Sequence, residues 1–175
     1  MVPAGFEYQA FYCEENIWRL CLRAEFRGEC RHAVFLASPR GYFPMARQTL
    51  AETGELVWWD YHVVHLELGA SPVIRDFDSR LDFPADAVTY LDASFGALPE
   101  GVAPRFRPVA ADFYARDFSS DRSHMRSPDG DWLEPPPTWP RPGLGAGNLA
   151  AYLDLDSSEK GPWLTLAAFG RFVRA

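Results

Sequence analysis

Lysine is almost missing from this chain: one residue, Lys160, stands against 16 arginines. Schiff-base or lysine general-base chemistry therefore has a single candidate. That candidate sits in a Ser/Glu/Gly segment that reads as an exposed turn. Cysteine is sparse too, with Cys13, Cys21 and Cys30 alone. An odd count without a C-x-x-C pair fits neither a disulfide framework nor a zinc knuckle. Free thiols suit a reducing compartment. No apolar run approaches the roughly 20 residues of a transmembrane helix, so no membrane partner is expected. Residues 1–12 lack a basic region, an adequate apolar core and a cleavage pattern, and the expected location is the cytoplasm. A basic excess is missing as well. With 17 basic against 24 acidic residues, a net charge of −7 and no basic run, nucleic acid is not an expected partner.

Aromatics are abundant: 13 Phe, 7 Tyr and 6 Trp in 175 residues, 47% of which are hydrophobic. Such a chain can offset its ordering entropy by burial. Its length suits one domain, taken as 1–175, and a monomer is the simplest expectation.

Residues 13–27 read as a helix, with Ile17, Leu20, Cys21 and Ala24 forming one apolar stripe and Glu14 and Glu15 in the first turn. Residues 32–37 then read as a buried strand, 42–48 as its return, and 51–55 as a polar turn. Residues 56–68 are the strongest strand in the chain, rich in β-branched and aromatic side chains. After a turn at 69–72, residues 73–78 read as an antiparallel return. A helix is expected over 85–95, a strand over 106–110, and a loop over 119–134. Residues 135–142, carrying three consecutive prolines, should be an extended, rigid surface segment. A short helix should follow Thr165. The fold class is α+β, a mainly antiparallel sheet flanked by helices.

The four histidines do not support a metal site. His62 and His65 are three apart on one strand and point to opposite faces, and His32 and His124 lie in dissimilar contexts. His62 has a more useful relationship with the next strand. Opposite residues of an antiparallel pair share a face. His62 faces Asp76 if the hairpin centres on Gly69, whereas an Ala70-Ser71 turn gives Asp76 to His65. Spacing chooses neither His, nor does it separate Asp76 from Asp78. The alternative is a solvated polar face. Cys13, where an aromatic run gives way to the helix, would meet backbone N–H groups and the positive end of the helix dipole. Cys21 belongs to the apolar stripe, and Cys30 has no evident role.

A helix-borne Cys followed by a strand His and an Asp on the next strand is an order shared by papain-like and transglutaminase-like cysteine hydrolases. The residues are more specific than the order. Tyr12-Cys13-Glu14-Glu15-Asn16-Ile17-Trp18-Arg19-Leu20-Cys21 and Trp59-Asp60-Tyr61-His62-Val63-Val64 resemble protein N-terminal glutamine amidohydrolases. So do Arg75-Asp76-Phe77-Asp78, Phe118-Ser119-Ser120-Asp121-Arg122-Ser123-His124-Met125 and Trp132-Leu133-Glu134-Pro135-Pro136-Pro137. The blocks run in family order, while 24–32, 48–56 and 96–105 depart from it.

The resemblance implies a catalytic triad of Cys13, His62 and Asp76. It also implies hydrolysis of the side-chain amide of an N-terminal glutamine to glutamate, with release of ammonia and without metal or organic cofactor. The implied partners are proteins or peptides with a free N-terminal Gln, whose Glu product can be arginylated and read as a degradation signal. Refusing internal glutamine requires a group that reads the free α-ammonium. Glu15 is the candidate, with Tyr12 lining the pocket; a purely helix-stabilising Glu15 is the alternative. The loop at 119–125 should brace the cleft, with Asp121 and Arg122 paired. The rival readings are a transglutaminase- or protease-like hydrolase of other substrates, and a domain that binds peptide N-termini without turnover.

Overall fold

Helix α1 runs from Cys13 to Leu22 in the computed structural model, which describes residues 4–52, 54–99 and 101–175. The apolar stripe ends sooner than its spacing predicts, because Ala24 is exposed. Arg23 turns extended and a 3-10 turn over Ala24–Phe26 follows. That turn buries Phe26 against Phe6 and His65, both at 5.8 Å between ring centres.

Strand β1 (Arg31–Ala37) is an interior strand of a five-stranded sheet. It pairs with β4 (Tyr61–Glu67) on one side and β7 (Arg105–Ala110) on the other; β5 (Val73–Arg75) and β6 (Ala85–Asp86) extend the sheet beyond β4. Every pairing is antiparallel. Alternate residues feed two apolar clusters. Val34, Leu36, Val64, Leu66 and Phe106 pack on α2 (Ala87–Phe95) and α5 (Leu166–Arg174). Ala33, Phe35, Val63 and Val109 pack on α1, α3 (Ala111–Asp117) and α4 (Leu149–Leu153). The architecture is therefore α+β, with helices on both faces of an antiparallel sheet. A central strand covered on both sides needs apolar residues throughout, and residues 33–37 of β1 are all buried.

The long run 56–68 does not form one strand. It divides at Asp60, whose carboxylate accepts the N–H of Tyr61 at 2.8 Å. The first piece, β3 (Val57–Trp59), leaves the main sheet and pairs with β2 (Phe43–Met45). The second piece is β4. The return strand β5 stops at Arg75, three residues early, and pairs His65 with Arg75, Leu66 with Ile74 and Glu67 with Val73. The hairpin has an odd-length loop, but it centres on Ala70 and not on Gly69.

The expected helix over 85–95 begins two residues later, after β6, and is capped by Asp86, which accepts the N–H of Thr89 at 2.8 Å. Thr165 caps α5 in the same way, through Ala168. Helices α3 and α4 were not anticipated. In the 51–55 turn, Thr53 lies outside the described residues. Among those described, no helix is long and apolar enough to cross a membrane.

Candidate active site

Cys13 is the first residue of α1, and the chain before it is held tightly. Phe11 adopts a left-handed φ of 68°, a conformation that non-glycine residues rarely take. Asn16 exchanges hydrogen bonds with the backbone of Gln9, at 2.8 and 2.9 Å. Tyr114 on α3 donates to the carbonyl of Glu14 at 2.9 Å, fixing the first turn to the opposite helix. The thiol reaches the wall of a cavity of about 590 Å³. Trp59, Tyr61, Leu133, Leu149 and Leu153 supply much of its apolar lining. Its charged lining is Asp60, Asp121 and Glu134, with His124 beside them and, among the described residues, no arginine or lysine.

His62 is fully buried on β4, with Nε2 2.9 Å from Asp76 Oδ1. Asp76 is the first residue after β5. Its other donors converge from three places: Tyr90 on α2 at 2.7 Å, Gln48 at 3.1 Å and the Asp78 N–H at 3.0 Å. A carboxylate so supplied fixes the proton of the imidazole on Nε2. The other ring nitrogen, Nδ1, is buried and has no hydrogen-bond partner among the described residues. Trp59 stacks on the ring at 4.6 Å. Burial opposes the charged imidazole, but the Asp76 carboxylate overrides it and raises the pKa of His62. Burial likewise opposes the charged form of Asp76, and its partners, His62 foremost, hold it below the usual carboxylate range.

The Cys13 thiol is pushed well up by burial first, then by the charges of Glu14 and Asp78; the N–H of Val63, next to His62, works against them. Because β5 pairs only with residues 65–67, the first part of β4 has no strand partner on that side among the described residues. The thiol comes to that unpaired stretch. His65 points elsewhere: Nε2 donates to the Phe26 carbonyl at 3.1 Å, and burial lowers its pKa to about 4.

The two residues expected to touch substrate are turned away from the cavity. Tyr12 is fully buried, and its hydroxyl donates to the Glu134 carbonyl at 3.4 Å, behind the wall. Glu15 is gripped by Arg122 through two hydrogen bonds of 2.8 Å and by Trp139 Nε1 at 2.9 Å. Arg122 also donates to the carbonyls of Pro137 and Trp139. The 119–125 loop and the proline segment are thus tied to α1 as braces. Asp121 does not pair with Arg122. It accepts the N–H and hydroxyl of Ser123, which pull its carboxyl down to about 2. Lys160 is not an exposed turn residue: its side chain is 9% exposed and bound to Asp117 at 2.9 Å. Cys21 lies in the core and Cys30 is exposed.

Sequence reasoning missed Glu14, read there as an acid suited to a helix start. Its Oε2 lies 3.8 Å from the Cys13 sulfur and accepts the Tyr61 hydroxyl at 3.0 Å. It also missed that His62, Asp76 and Asp78 bring ligand atoms within 4.8 Å of one another. A metal would compete there with the hydrogen bonds that these groups already make. Asp76 accepts four donors, and Asp78 accepts the hydroxyl of Tyr8. The arrangement offers a buried, carboxylate-oriented imidazole on the same strand whose Val63 N–H meets the Cys13 thiol.

Comparison with known sequences bears on the same region. Residues 8–173 match the family described as N-terminal glutamine amidase. A protein N-terminal glutamine amidohydrolase of Bos taurus is 38% identical over 162 residues, covering 85% of this chain and 77% of the relative. The Homo sapiens protein of that name is 37% identical over 162 residues, covering 85% and 78%. That of Drosophila erecta is 38% identical over 172 residues, covering 91% and 83%.

Proposed function

The chain belongs to the N-terminal glutamine amidase family, and from that premise we propose that it hydrolyses the side-chain amide of N-terminal glutamine in proteins or peptides, with residues 1–175 acting as one catalytic domain. The observation that most supports this reading is the His62 ring, oriented by Asp76 through Nε2, with a buried Nδ1 that has no hydrogen-bond partner among the described residues. The carboxylate-lined cavity beside Cys13 agrees with a cationic peptide terminus.

In the proposed reaction His62 takes the proton of the Cys13 thiol, and sulfur attacks the carboxamide carbon. The oxygen that becomes negative meets backbone N–H groups of the first turn of α1, which have no intrahelical partner. Each such donor is typically worth roughly 3 kcal/mol. His62 then gives its proton to the departing nitrogen, the C–N bond breaks and ammonia leaves a thioester. Water, deprotonated by His62, opens the thioester to glutamate and restores the thiol. Asp76 steadies the imidazolium throughout. The order of a helix Cys, a strand His and a following Asp also fits a papain- or transglutaminase-like reaction core.

The deciding experiment is mass spectrometry of a glutamine-initiated peptide, with ammonia measured in parallel. The expected result is an amide-to-acid mass change that Cys13→Ala abolishes. Peptides with N-terminal Asn or internal Gln should remain intact. Turnover of internal Gln, peptide-bond cleavage, or full activity of Cys13→Ala would overturn the reading.

A further inference from the structure

Glu14 occupies a position that thiol chemistry alone does not require. Its side chain is fully buried. Oε2 accepts the Tyr61 hydroxyl, while Oε1 has no hydrogen-bond partner among the described residues. His124 Nε2 stands 3.4 Å from Oε1, without the geometry of a hydrogen bond. Cys13, Tyr61 and His124 all line the cavity, so this oxygen lies one side chain behind its wall. Glu15, the neighbouring acid, is by contrast saturated by Arg122 and Trp139.

A buried acceptor without a donor is unfavourable, and more so when it belongs to a carboxylate. A cation carrying its own N–H donors relieves it. The site already favours one: burial alone would lower the His124 pKa, and Glu14 overrides that and raises it. A chain-terminal glutamine carries such a cation four bonds from its carboxamide carbon, a span of about 5 Å. A carboxamide carbon in reach of the Cys13 sulfur therefore brings its ammonium within reach of a carboxylate whose nearer oxygen is 3.8 Å from that sulfur.

We infer that Glu14 reads the free α-ammonium of the substrate, which displaces the 3.3 Å hydrogen bond between the Tyr61 hydroxyl and His124 Nε2 and donates to Oε1. The inference rests on the amidase reading and names how that site refuses an internal glutamine. A peptide nitrogen at the same place carries no charge, offers one donor at most, and brings an upstream chain into a closed floor.

The test uses two probes, a glutamine-initiated peptide and its des-amino counterpart with a 4-carbamoylbutanoyl first residue. Binding to the Cys13→Ala protein is titrated so that turnover plays no part. The free-amine probe should bind at least about tenfold more tightly, the scale of a hydrogen bond to a charged group. In Cys13→Ala/Glu14→Gln that preference should vanish, while Glu14→Asp, which keeps a carboxylate, should retain part of it. In otherwise native protein, the ratio of kcat/KM between the probes should collapse in parallel for Glu14→Gln. A preference that survives Glu14→Gln, or one lost equally in Glu14→Asp, overturns the assignment. Absence of any turnover by the native protein is a different result and counts against the amidase reading itself.

Discussion

His62 Nε2 lies 2.9 Å from Asp76 Oδ1, although no strand pairing sets the two residues opposite one another. Continued past its end, the β4–β5 ladder would face His62 with Asp78. The strand stops at Arg75 instead, and Asp76 turns to where Tyr90 and Gln48 also reach it. Asp76→Asn should keep this shape but no longer hold the proton on Nε2. A loss in kcat of about 10⁴-fold is expected, as for an acid that orients a catalytic imidazole. Asp78→Asn should cost far less, because the hydrogen bond that orients the His62 ring goes to Asp76, to which Asp78 gives its backbone N–H. Steady-state deamidation rates compare the two.

The pH profile follows from the same pair. With the thiol pushed up by burial, Glu14 and Asp78, its proton must pass to a neutral His62. Burial alone would favour that neutral form, but Asp76 raises the His62 pKa above 6.5. The rate should therefore climb with pH through a midpoint above 6.5. Asp76→Asn removes the foremost of the charges that raise it and should move the midpoint of the residual activity downward. A midpoint that stays in place would disconnect it from His62.

His65 gives a stability prediction of the opposite sign. Its folded pKa is depressed from 6.5 to about 4, so the folded protein binds this proton less readily than the unfolded chain. The stabilisation is present above pH 6.5 and is lost as pH falls towards 4. The shift corresponds to about 3 kcal/mol. His65→Gln, which can still donate to the Phe26 carbonyl, should flatten this part of the denaturation-against-pH curve. It should leave deamidation at neutral pH in place, whereas His62→Ala should abolish it.

The Glu15–Arg122 pair should behave as a buried brace. Arg122→Met strands the Glu15 carboxylate and should destabilise the protein by about 3–5 kcal/mol in urea unfolding. Glu15→Leu/Arg122→Met removes both charges and should recover part of that loss. Glu15→Gln should leave the free-amine preference intact, which separates this acid from its neighbour.

How much of this was legible before the structure depends on distance along the chain. Strand β1 and the start of α1 carry their own patterns and appear where those patterns put them. The run 56–68 misled because β-propensity does not register the bend that Asp60 makes with its own neighbour. Helices α3 and α4 have seven and five residues, too few for a period to show. Helix α4 is also held from outside, by Arg107 donating to the Ala151, Tyr152 and Asp154 carbonyls. At the site, spacing left His62 and His65 level, and a one-residue shift of the hairpin centre, which moves the residue opposite His62 by two, was beyond it. Glu14 and Glu15 differ by roughly 100° around a helix. Which of them faces the thiol depends on how α1 sits, and that is set in part by Arg122, 107 residues away.

The charge of the cavity wall bears on departure as well as arrival. The proposed reaction replaces a neutral carboxamide by an anion in a space rimmed by Asp60, Asp121 and Glu134, where no arginine or lysine among the described residues waits to hold it. The glutamate-initiated product is repelled by the same rim that draws in the glutamine-initiated substrate, so turnover carries its own means of ejection. Product inhibition should be weak at low ionic strength, and added salt should screen the repulsion and bring product affinity closer to that of substrate.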